Sequence, residues 1–494
     1  MISRRQFAKT LGLASALGLI ESQAVMRVLA ADRRSLGYLA NRTAGAEGAW
    51  TLGRVEGAVP KELNGVLYRV APGQKETFGV PLRHLFDGDA FVSRYAFREG
   101  VVTLRARFVE TAARVEERKA GKMLYREFGT LAPSGPDTEP LPKNQPNVNI
   151  IRWDGQLLGL SEGGHPTATD PVDLSARGEW DFHGTLPRDV SFTAHPRFDP
   201  QTGEGYAWGI RKGEGWALTV YRMEPNGRLK ELYALPQRAL FMVHDVLLTR
   251  DHVVFVIPPV RLDMARLLSG KVTVAEAFGY FADEPTRFVI LRKDGAGAPV
   301  TIEQPAAMVF HHGNAFEKDG KIVVDSLLFP DGAVLAALQA FDKDSEPRVA
   351  PNVLTRITLD PARRAIVGRT EISRAEEFPR FDTRRVGSDA RYLYTTALPA
   401  ARAFAPMAIV RHDLHGGADR RVEAGDTRVF GEPVFVPHPG RREEDRGWLL
   451  AQGYDAGRDE TFLELRDAGT LDFTARIWTG QHVPLGFHGN FYAA

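Results

Sequence analysis

The chain has 494 residues, of which 43% are hydrophobic and 25% are charged, a balance typical of a large globular protein. Its formal net charge of +1 and the lack of a basic run exclude a protein that attracts nucleic acid through its charge. It contains no cysteine, so disulfide bonds and thiolate metal ligands are excluded as well. Beyond the N-terminal segment, no apolar stretch reaches the roughly 18 residues that a membrane-spanning helix needs.

The N-terminal segment, residues 1–31, has the pattern of an export signal. Residues 3–9 (Ser-Arg-Arg-Gln-Phe-Ala-Lys) form a twin-arginine motif, and the mildly apolar residues 11–20 follow. Residues 28–30 (Val-Leu-Ala) provide a cleavage point, with residues 29–31 as an alternative one position later. The apolar run is only about half the length of a membrane span, which disfavours an uncleaved anchor. The sequence therefore predicts a Tat-type signal and a periplasmic or otherwise exported protein, the alternative being an amphipathic surface helix.

From Trp50 onward, short β-like runs separated by turn residues dominate the sequence. Residues 217–221 and 229–233 flank an Asn-Gly turn and predict a β-hairpin. No exact internal repeat is visible. The length nevertheless permits a β-propeller, because seven blades of roughly 45 residues use about 315 residues and leave room for loops and helices. The pattern predicts an all-β fold in which residues 32–494 form a single domain.

Four histidines follow apolar or small residues and precede a residue that can end a strand. His195 lies in Thr-Ala-His-Pro, His244 in Met-Val-His-Asp, His311 in Phe-His-His-Gly and His488 in Gly-Phe-His-Gly. Histidines so distant in sequence can meet only where many strand ends converge, and imidazoles suit zinc, iron, copper or nickel. Neighbouring side chains on a strand point to opposite faces, so only one of His311 and His312 can face such a site.

The four segments, in this order, resemble the histidine motifs of the carotenoid cleavage oxygenase family. Further matches are Leu67-Tyr68-Arg69, Phe86-Asp87-Gly88-Asp89, Glu162-Gly163-Gly164 and Glu377-Phe378-Pro379-Arg380. Together they extend from about Pro60 to the C-terminus. The resemblance implies a seven-bladed β-propeller with a loop-and-helix cap over the active-site face, and residues 261–284 are expected to form part of that cap.

The resemblance also implies one Fe²⁺ per chain, bound by the four histidines, with O2 as the co-substrate. Three glutamates are expected to accept the imidazole N–H groups and to supply negative charge. The implied pairs are Glu162 with His244, Glu377 with His311, and Glu432 with His488. His195 has no such partner in the family pattern. Val148, fourteen residues before Glu162, is expected to shield one coordination position.

The remaining histidines are expected to play no part in metal binding. His312 is one residue too late for the family motif and should point away from the metal. The eight others are expected to be surface or structural residues, with His165 the best placed to line the cap. They are His84, His165, His183, His252, His412, His415, His438 and His482.

The implied activity is insertion of O2 across a conjugated C=C bond of a carotenoid or apocarotenoid, giving two carbonyl products. Stilbene-cleaving members of the family typically carry a lysine just before the first glutamate, where this chain has Ser161. Cleavage of a stilbene or phenylpropanoid is therefore the weaker alternative. A retinoid-type isomerase with the same iron site and a non-catalytic propeller with a structural metal are the others.

The expected partner is an apolar, conjugated small molecule, which needs an apolar tunnel and an apolar entrance. The cap segment, residues 261–284, carries several large apolar residues, among them Leu267 and Phe278. They are expected to form a rim that contacts the membrane peripherally, the alternative being that they only pack the cap onto the propeller.

Overall fold

A computed structural model describes residues 33–133, 143–213, 215–339, 349–398 and 405–494. The signal peptide predicted for residues 1–31 lies outside the described residues. No helix in the described residues is long and apolar enough to cross a membrane.

Short strands account for most of the described structure. In chain order they are β1 (Gly48–Thr51), β2 (Val55–Gly57), β3 (Gly65–Pro72), β4 (Glu76–Thr77), β5 (Val80–Pro81), β6 (Ala90–Arg98), β7 (Val101–Phe108), β8 (Asn149–Trp153), β9 (Gln156–Leu160), β10 (Thr167–Thr169), β11 (Ala176–Glu179), β12 (Arg197–Phe198), β13 (Gly205–Lys212), β14 (Trp216–Met223), β15 (Leu229–Gln237), β16 (Val246–Leu248), β17 (His252–Ile257), β18 (Val260–Leu262), β19 (Phe278–Tyr280), β20 (Thr286–Arg292), β21 (Val300–Gln304), β22 (Met308–Lys318), β23 (Lys321–Phe329), β24 (Val353–Asp360), β25 (Ala365–Arg374), β26 (Glu376–Arg380), β27 (Tyr392–Ala397), β28 (Ala408–Asp413), β29 (Arg420–Glu423), β30 (Arg428–Pro437), β31 (Gly447–Asp455), β32 (Glu460–Asp467), β33 (Phe473–Trp478) and β34 (Gly489–Ala493). The helices are α1 (Arg33–Ala40), α2 (Ala112–Ala120), α3 (Met264–Leu268), α4 (Val274–Ala277) and α5 (Ala333–Gln339), with a 3-10 helix at Thr383–Arg385.

Seven antiparallel sheets are arranged as the blades of a propeller, which confirms the predicted fold. From the axis outward the blades are β34-β3-β6-β7-β1, β8-β9-β10-β11, β12-β13-β14-β15, β16-β17-β20-β21, β22-β23-β24-β25, β26-β27-β28-β29 and β30-β31-β32-β33-β2. We number them blades 1 to 7 in this order. The predicted hairpin is confirmed, since β14 pairs with β15 across the Asn-Gly turn.

Strands from the two ends of the chain close the ring. The C-terminal strand β34 pairs with β3 and is the innermost strand of blade 1. The N-terminal strand β2 pairs with β33 and is the outermost strand of blade 7. Neighbouring blades 1 and 7 are therefore each completed by a strand from the opposite end of the chain.

The hydrophobic core is a ring of clusters between adjacent blades. One cluster, for example, joins Leu67 and Tyr95 of blade 1 to Leu450 and Leu463 of blade 7. Central strands are consequently buried on both faces, as in β31, where every residue is buried. This explains why such strands appear in the sequence as continuous apolar runs without strict alternation.

The cap segment, residues 261–284, folds over one end of the propeller through α3, α4 and the small β18–β19 sheet. Helix α4 begins with a capping box in which Thr273 and Glu276 bind each other's backbone N–H groups. The expectation that Leu267 forms an exposed rim is wrong, because Leu267 is fully buried against Leu262 and Val274.

Candidate metal centre

The predicted site residues lie just before, or in the first half of, the seven innermost strands. By blade they are His488 before β34, Val148 before β8, His195 before β12, His244 before β16, His311 in β22, Glu377 in β26 and Glu432 in β30. Glu162 comes from the loop that follows β9. Each blade thus delivers at least one residue to the same end of the axis, and this is how residues so far apart in sequence meet.

The four histidines form one compact cluster. Their ligand nitrogens all lie within 4.8 Å of one another. Nε2 of His195 lies 3.1 Å from Nε2 of His244, and Nε2 of His311 lies 3.1 Å from Nε2 of His488. Two nitrogens that each lie about 2.1 Å from one ion are about 3.0 Å apart at a right angle and about 4.2 Å apart on opposite sides, so the separations in this cluster are close to those of a mononuclear site.

Three carboxylates contact the outer nitrogens of three of these rings. Oε2 of Glu377 lies 2.7 Å from His311 Nδ1, and Oε1 of Glu432 lies 2.8 Å from His488 Nδ1. Oε1 of Glu162 lies 2.5 Å from Nδ1 of His244. The structure thus forms all three expected glutamate–histidine pairs. For His195, the structure shows a backbone N–H bond to Thr193 Oγ1 and no carboxylate partner among the described residues.

These contacts set the tautomers and show that the residues fit a metal ion. Each carboxylate requires a proton on Nδ1 of its histidine, which leaves a lone pair on Nε2. Nε2 of His311 and Nε2 of His488 then present lone pairs to each other across 3.1 Å. That arrangement is repulsive unless a cation lies between the rings, and neutral imidazole nitrogens suit a divalent transition metal.

Electrostatics keeps the rings of His195 and His488 neutral and the Glu432 carboxylate charged. Burial and the neighbouring histidines hold the pKa of His195 well below its usual value. Burial also lowers the pKa of His488 to about 4, despite the nearby carboxylate. Burial alone would raise the pKa of Glu432, but Arg380, His488 and Arg69 lower it to about 2. For His244, burial acts to lower the pKa, but the Glu162 carboxylate raises it above the usual value. Near neutral pH His195 and His488 are therefore neutral ligands and Glu432 is anionic.

His312 lies on the other side of its strand, as the alternation of side chains predicts. Its Nδ1 lies 2.9 Å from Ser326 Oγ, and its backbone N–H donates to Asp245 Oδ2 at 3.0 Å. Burial lowers the pKa of His312 to about 4, so this ring is neutral as well. Irregular pairing of β22 with β23 on both sides of His312 allows His311 to turn toward the cluster.

An ion pair that the sequence analysis did not single out fixes the strands that carry the histidines. Arg197 donates to both oxygens of Asp245, at 2.7 and 3.3 Å, and also to the carbonyl of His312 at 3.1 Å. These residues follow His195 and His244 almost directly, so the pair links the starts of three neighbouring inner strands. An Asp directly after a predicted ligand, with an Arg two residues after another, was the signal that could have revealed it.

A cavity of about 350 Å³ extends from the histidine cluster beneath the cap. His244, His311, His488 and Val148 line it, and most of the remaining wall is apolar. Its aromatic wall residues include Phe86, Phe128, Phe241, Phe278, Phe310 and Phe487. Such a volume and lining are typical of a site for an apolar small molecule.

Of the other histidines, His84 lines the cavity, and His165 does not. His84 is buried in the cavity wall, and burial followed by the nearby Lys75 charge lowers its pKa to about 3. His165, expected to be the best placed to line the cap, binds the Pro187 carbonyl at 3.1 Å and does not line this cavity. His412 lies outside the cavity and bridges two carboxylates, Glu376 at 2.7 Å and Asp419 at 2.8 Å.

A propeller whose axis ends in four histidines, three carboxylates and an apolar cavity has the features of a metal site that opens onto a pocket for an apolar small molecule. A family model described as retinal pigment epithelial membrane protein matches residues 42–493. The chain therefore belongs to this family, which is the carotenoid cleavage oxygenase family that its motifs resemble, and it is an oxygenase-type oxidoreductase.

Individual relatives agree with this assignment. The chain is 34% identical to an apocarotenoid-15,15'-oxygenase from Synechocystis sp. over 88% of this chain and 92% of the relative. It is 31% identical to resveratrol cleavage oxygenase 1 from Aspergillus fumigatus, over 88% and 91% respectively. The structure also matches that of a cobalt-substituted Synechocystis apocarotenoid oxygenase with a TM-score of 0.85 and 31% identity, covering 93% of this chain and 99% of that one.

Proposed function

We propose that the protein is a non-haem Fe(II) dioxygenase that cleaves one conjugated C=C bond of an apocarotenoid or carotenoid into two carbonyl products. The observation that carries the proposal is the meeting of a four-histidine cluster with an apolar cavity. The similarity to the Synechocystis enzyme supports the substrate class.

His195, His244, His311 and His488 would hold the iron. Iron bound there would supply the activation of O2 that cleavage of a conjugated double bond requires. We propose a catalytic role for the metal and not a structural one, because the histidine cluster opens onto the cavity. The cobalt-substituted relative supports a site that accepts divalent transition metals.

The protein's own contribution is to orient the ligands, to position the substrate and to exclude water. The three glutamates fix the Nδ1–H groups of His244, His311 and His488, so that the Nε2 lone pairs of these three rings face the centre. Arg197 and Asp245 hold the strands that carry the histidines in register. The aromatic wall positions an extended apolar chain, and Val148 limits access to one side of the centre.

The surroundings of Ser161 favour an apocarotenoid over a phenolic stilbene. Ser161 Oγ donates to Asn144 Oδ1 at 2.8 Å, so its hydroxyl proton is already engaged. A buried phenol without a partner costs roughly 1–3 kcal/mol. Stilbene cleavage therefore remains the second candidate.

The test is to incubate iron-loaded protein with a panel of apocarotenals, intact carotenoids and hydroxystilbenes, and to identify the products by mass. We expect two carbonyl fragments from at least one apocarotenoid, and none from iron-free protein. Cleavage of stilbenes with no reaction on any carotenoid or apocarotenoid would contradict the proposed substrate class.

We further propose that the protein is exported through the Tat route, on the basis of the twin-arginine motif at residues 3–9. Replacing Arg4 and Arg5 together by lysine should retain the protein in the cytoplasm, as measured by cell fractionation and immunoblotting. Efficient export of that double variant would contradict the proposal.

We propose that the cap contacts the membrane peripherally, through exposed residues other than the buried Leu267. Leu268 is 63% exposed and Phe281 is 41% exposed, and both lie in the cap segment. Arg261 stacks on Phe281, with its guanidinium carbon 3.9 Å from the ring centre, and is paired with Glu284. The contribution of this surface to membrane binding would therefore come from its apolar side chains, which suit the interfacial region of a bilayer.

A further inference from the structure

The cavity wall contains two lysines, and they differ sharply in their surroundings. Lys143 is enclosed by three carboxylates, Asp89 at 2.9 Å, Glu117 at 2.8 Å and Glu127 at 3.1 Å. Lys212 is half-buried and has no side-chain ion pair or hydrogen bond among the described residues. The acidic wall residues cannot serve it, because Glu162 and Glu377 already contact the histidines.

Lys212 lines the same cavity as the histidines, but its backbone lies at a distance from theirs along the fold. It is the last residue of β13, and alternate residues of that strand, Trp208, Ile210 and Lys212, all line the cavity. Its backbone N–H donates to the carbonyl of Asp189, six residues before His195. The chain from Asp189 to Thr193 runs extended alongside β13, since the Thr193 N–H donates to the Trp208 carbonyl at the other end of this pairing. At about 3.3 Å per residue these four steps cover roughly 13 Å, and His195 follows two residues later, so the backbone of Lys212 is well separated from that of His195.

The surroundings of Lys212 make its charge costly while the cavity is empty. Trp216, which pairs with Lys212 across the hairpin, adds an aromatic ring to the same wall. Burial lowers the pKa of Lys212, and no other charged group contributes to that shift. An unpaired ammonium beside an apolar wall is stabilised by a ligand that brings a negative charge.

We propose that Lys212 binds the carboxylate end of a linear conjugated substrate whose reacting double bond lies at the four-histidine centre. The inference rests on the proposed function and narrows it to an acid-terminated apocarotenoid. An alcohol or aldehyde could accept a hydrogen bond from Lys212 but would leave its charge uncompensated. A hydroxystilbene carries no carboxylate, so it too would leave the charge of Lys212 uncompensated.

The test compares substrates that share one polyene chain and differ only at the end group. The kcat/KM values for the acid, aldehyde and alcohol are measured with iron-loaded wild type and with Lys212→Met, Lys212→Arg and Lys230→Met. Lys230 is an exposed lysine of the same blade outside the cavity wall, so its variant controls for net charge.

We expect wild type to prefer the acid and Lys212→Met to reduce the acid-to-alcohol ratio of kcat/KM at least tenfold, mainly through KM. Lys212→Arg should retain most of the preference, and Lys230→Met all of it. An equal loss on acid and alcohol, or a wild type that prefers the alcohol, would overturn the inference.

A binding measurement separates this inference from the proposed function. Quenching of tryptophan fluorescence by each polyene is followed anaerobically with the iron-loaded protein, so no turnover is needed. Lys212→Met should weaken binding of the acid at least tenfold relative to the alcohol. If no polyene is cleaved but this discrimination is seen, the dioxygenase assignment fails and the carboxylate site stands. If polyenes are cleaved and the discrimination is absent, the carboxylate site fails.

Discussion

Replacing Glu432 by glutamine should weaken metal binding more than the same change at Glu162. Both carboxylates contact a candidate ligand, but the Glu432 side chain is 2% exposed and that of Glu162 is 31% exposed. Glu432 Oε2 also accepts the Gly489 backbone N–H at 3.0 Å. Arg380 lies 3.3 Å from Glu432, and Arg69 lies 3.8 Å from it, so this carboxylate also balances two cations.

The expected losses of metal affinity and of stability depend on how buried each carboxylate is and on which cations it balances. Loss of a carboxylate behind a metal-bound histidine typically reduces metal affinity ten- to a hundredfold. We expect Glu432→Gln near the upper end of that range and Glu162→Gln near the lower end, since water can reach Glu162. Glu432→Gln should also destabilise the metal-free protein by about 3 kcal/mol, because Arg69 and Arg380 lose a buried anionic partner.

Two assays separate these effects. Competition with a chromogenic chelator gives the iron affinity, and urea unfolding of the metal-free proteins gives the free energy of unfolding. Glu432→Gln with wild-type iron affinity, or Glu162→Gln with the greater loss in both assays, would refute the reasoning.

Three further predictions concern the ligands, a buried histidine and the cap. His311→Ala should lose its iron while His312→Ala retains it, as measured by elemental analysis; the reverse result would place the wrong ring at the metal. His412 is buried, which acts to lower its pKa, but its two carboxylate partners raise the pKa above the usual value. The stability from this contact should therefore be complete below about pH 6.5 and be lost as pH rises through the higher folded pKa. Urea unfolding should show that His412→Asn costs more at pH 6 than at pH 9, and an equal cost at both would contradict this. Leu268→Asp combined with Phe281→Asp should reduce flotation with anionic liposomes at unchanged iron content, and unchanged flotation would exclude this surface.

The seven-bladed fold was predictable through the resemblance of the ordered histidine motifs to those of the carotenoid cleavage oxygenase family. Strand alternation predicted that only one of His311 and His312 could face the site, and the family motif identified His311 as that residue. The closure of the ring was not predictable from local pattern, since β2 and β34 each pair with a strand more than 400 residues away in the sequence. Such pairing depends on the complete ring.

The cap and the cavity wall were harder to predict for physical reasons. Helix α3 has only five residues, too few for helical periodicity to show that Leu267 is buried and Leu268 is exposed. His84 lies in a loop, and Lys212 ends an ordinary hairpin strand. Neither has a sequence signal of its own, because the wall of the cavity forms only when the cap closes over the blades.

The most direct test of the central claim is a titration of metal-free protein with Fe(II), with apocarotenoid cleavage followed at each step. Activity should rise linearly with bound iron and reach its maximum at one iron per chain. Neither stoichiometric iron nor activity is expected in four variants: His195→Ala, His244→Ala, His311→Ala and His488→Ala. Full activity in the metal-free protein, or in a variant that lacks one of these histidines and binds no iron, would contradict it.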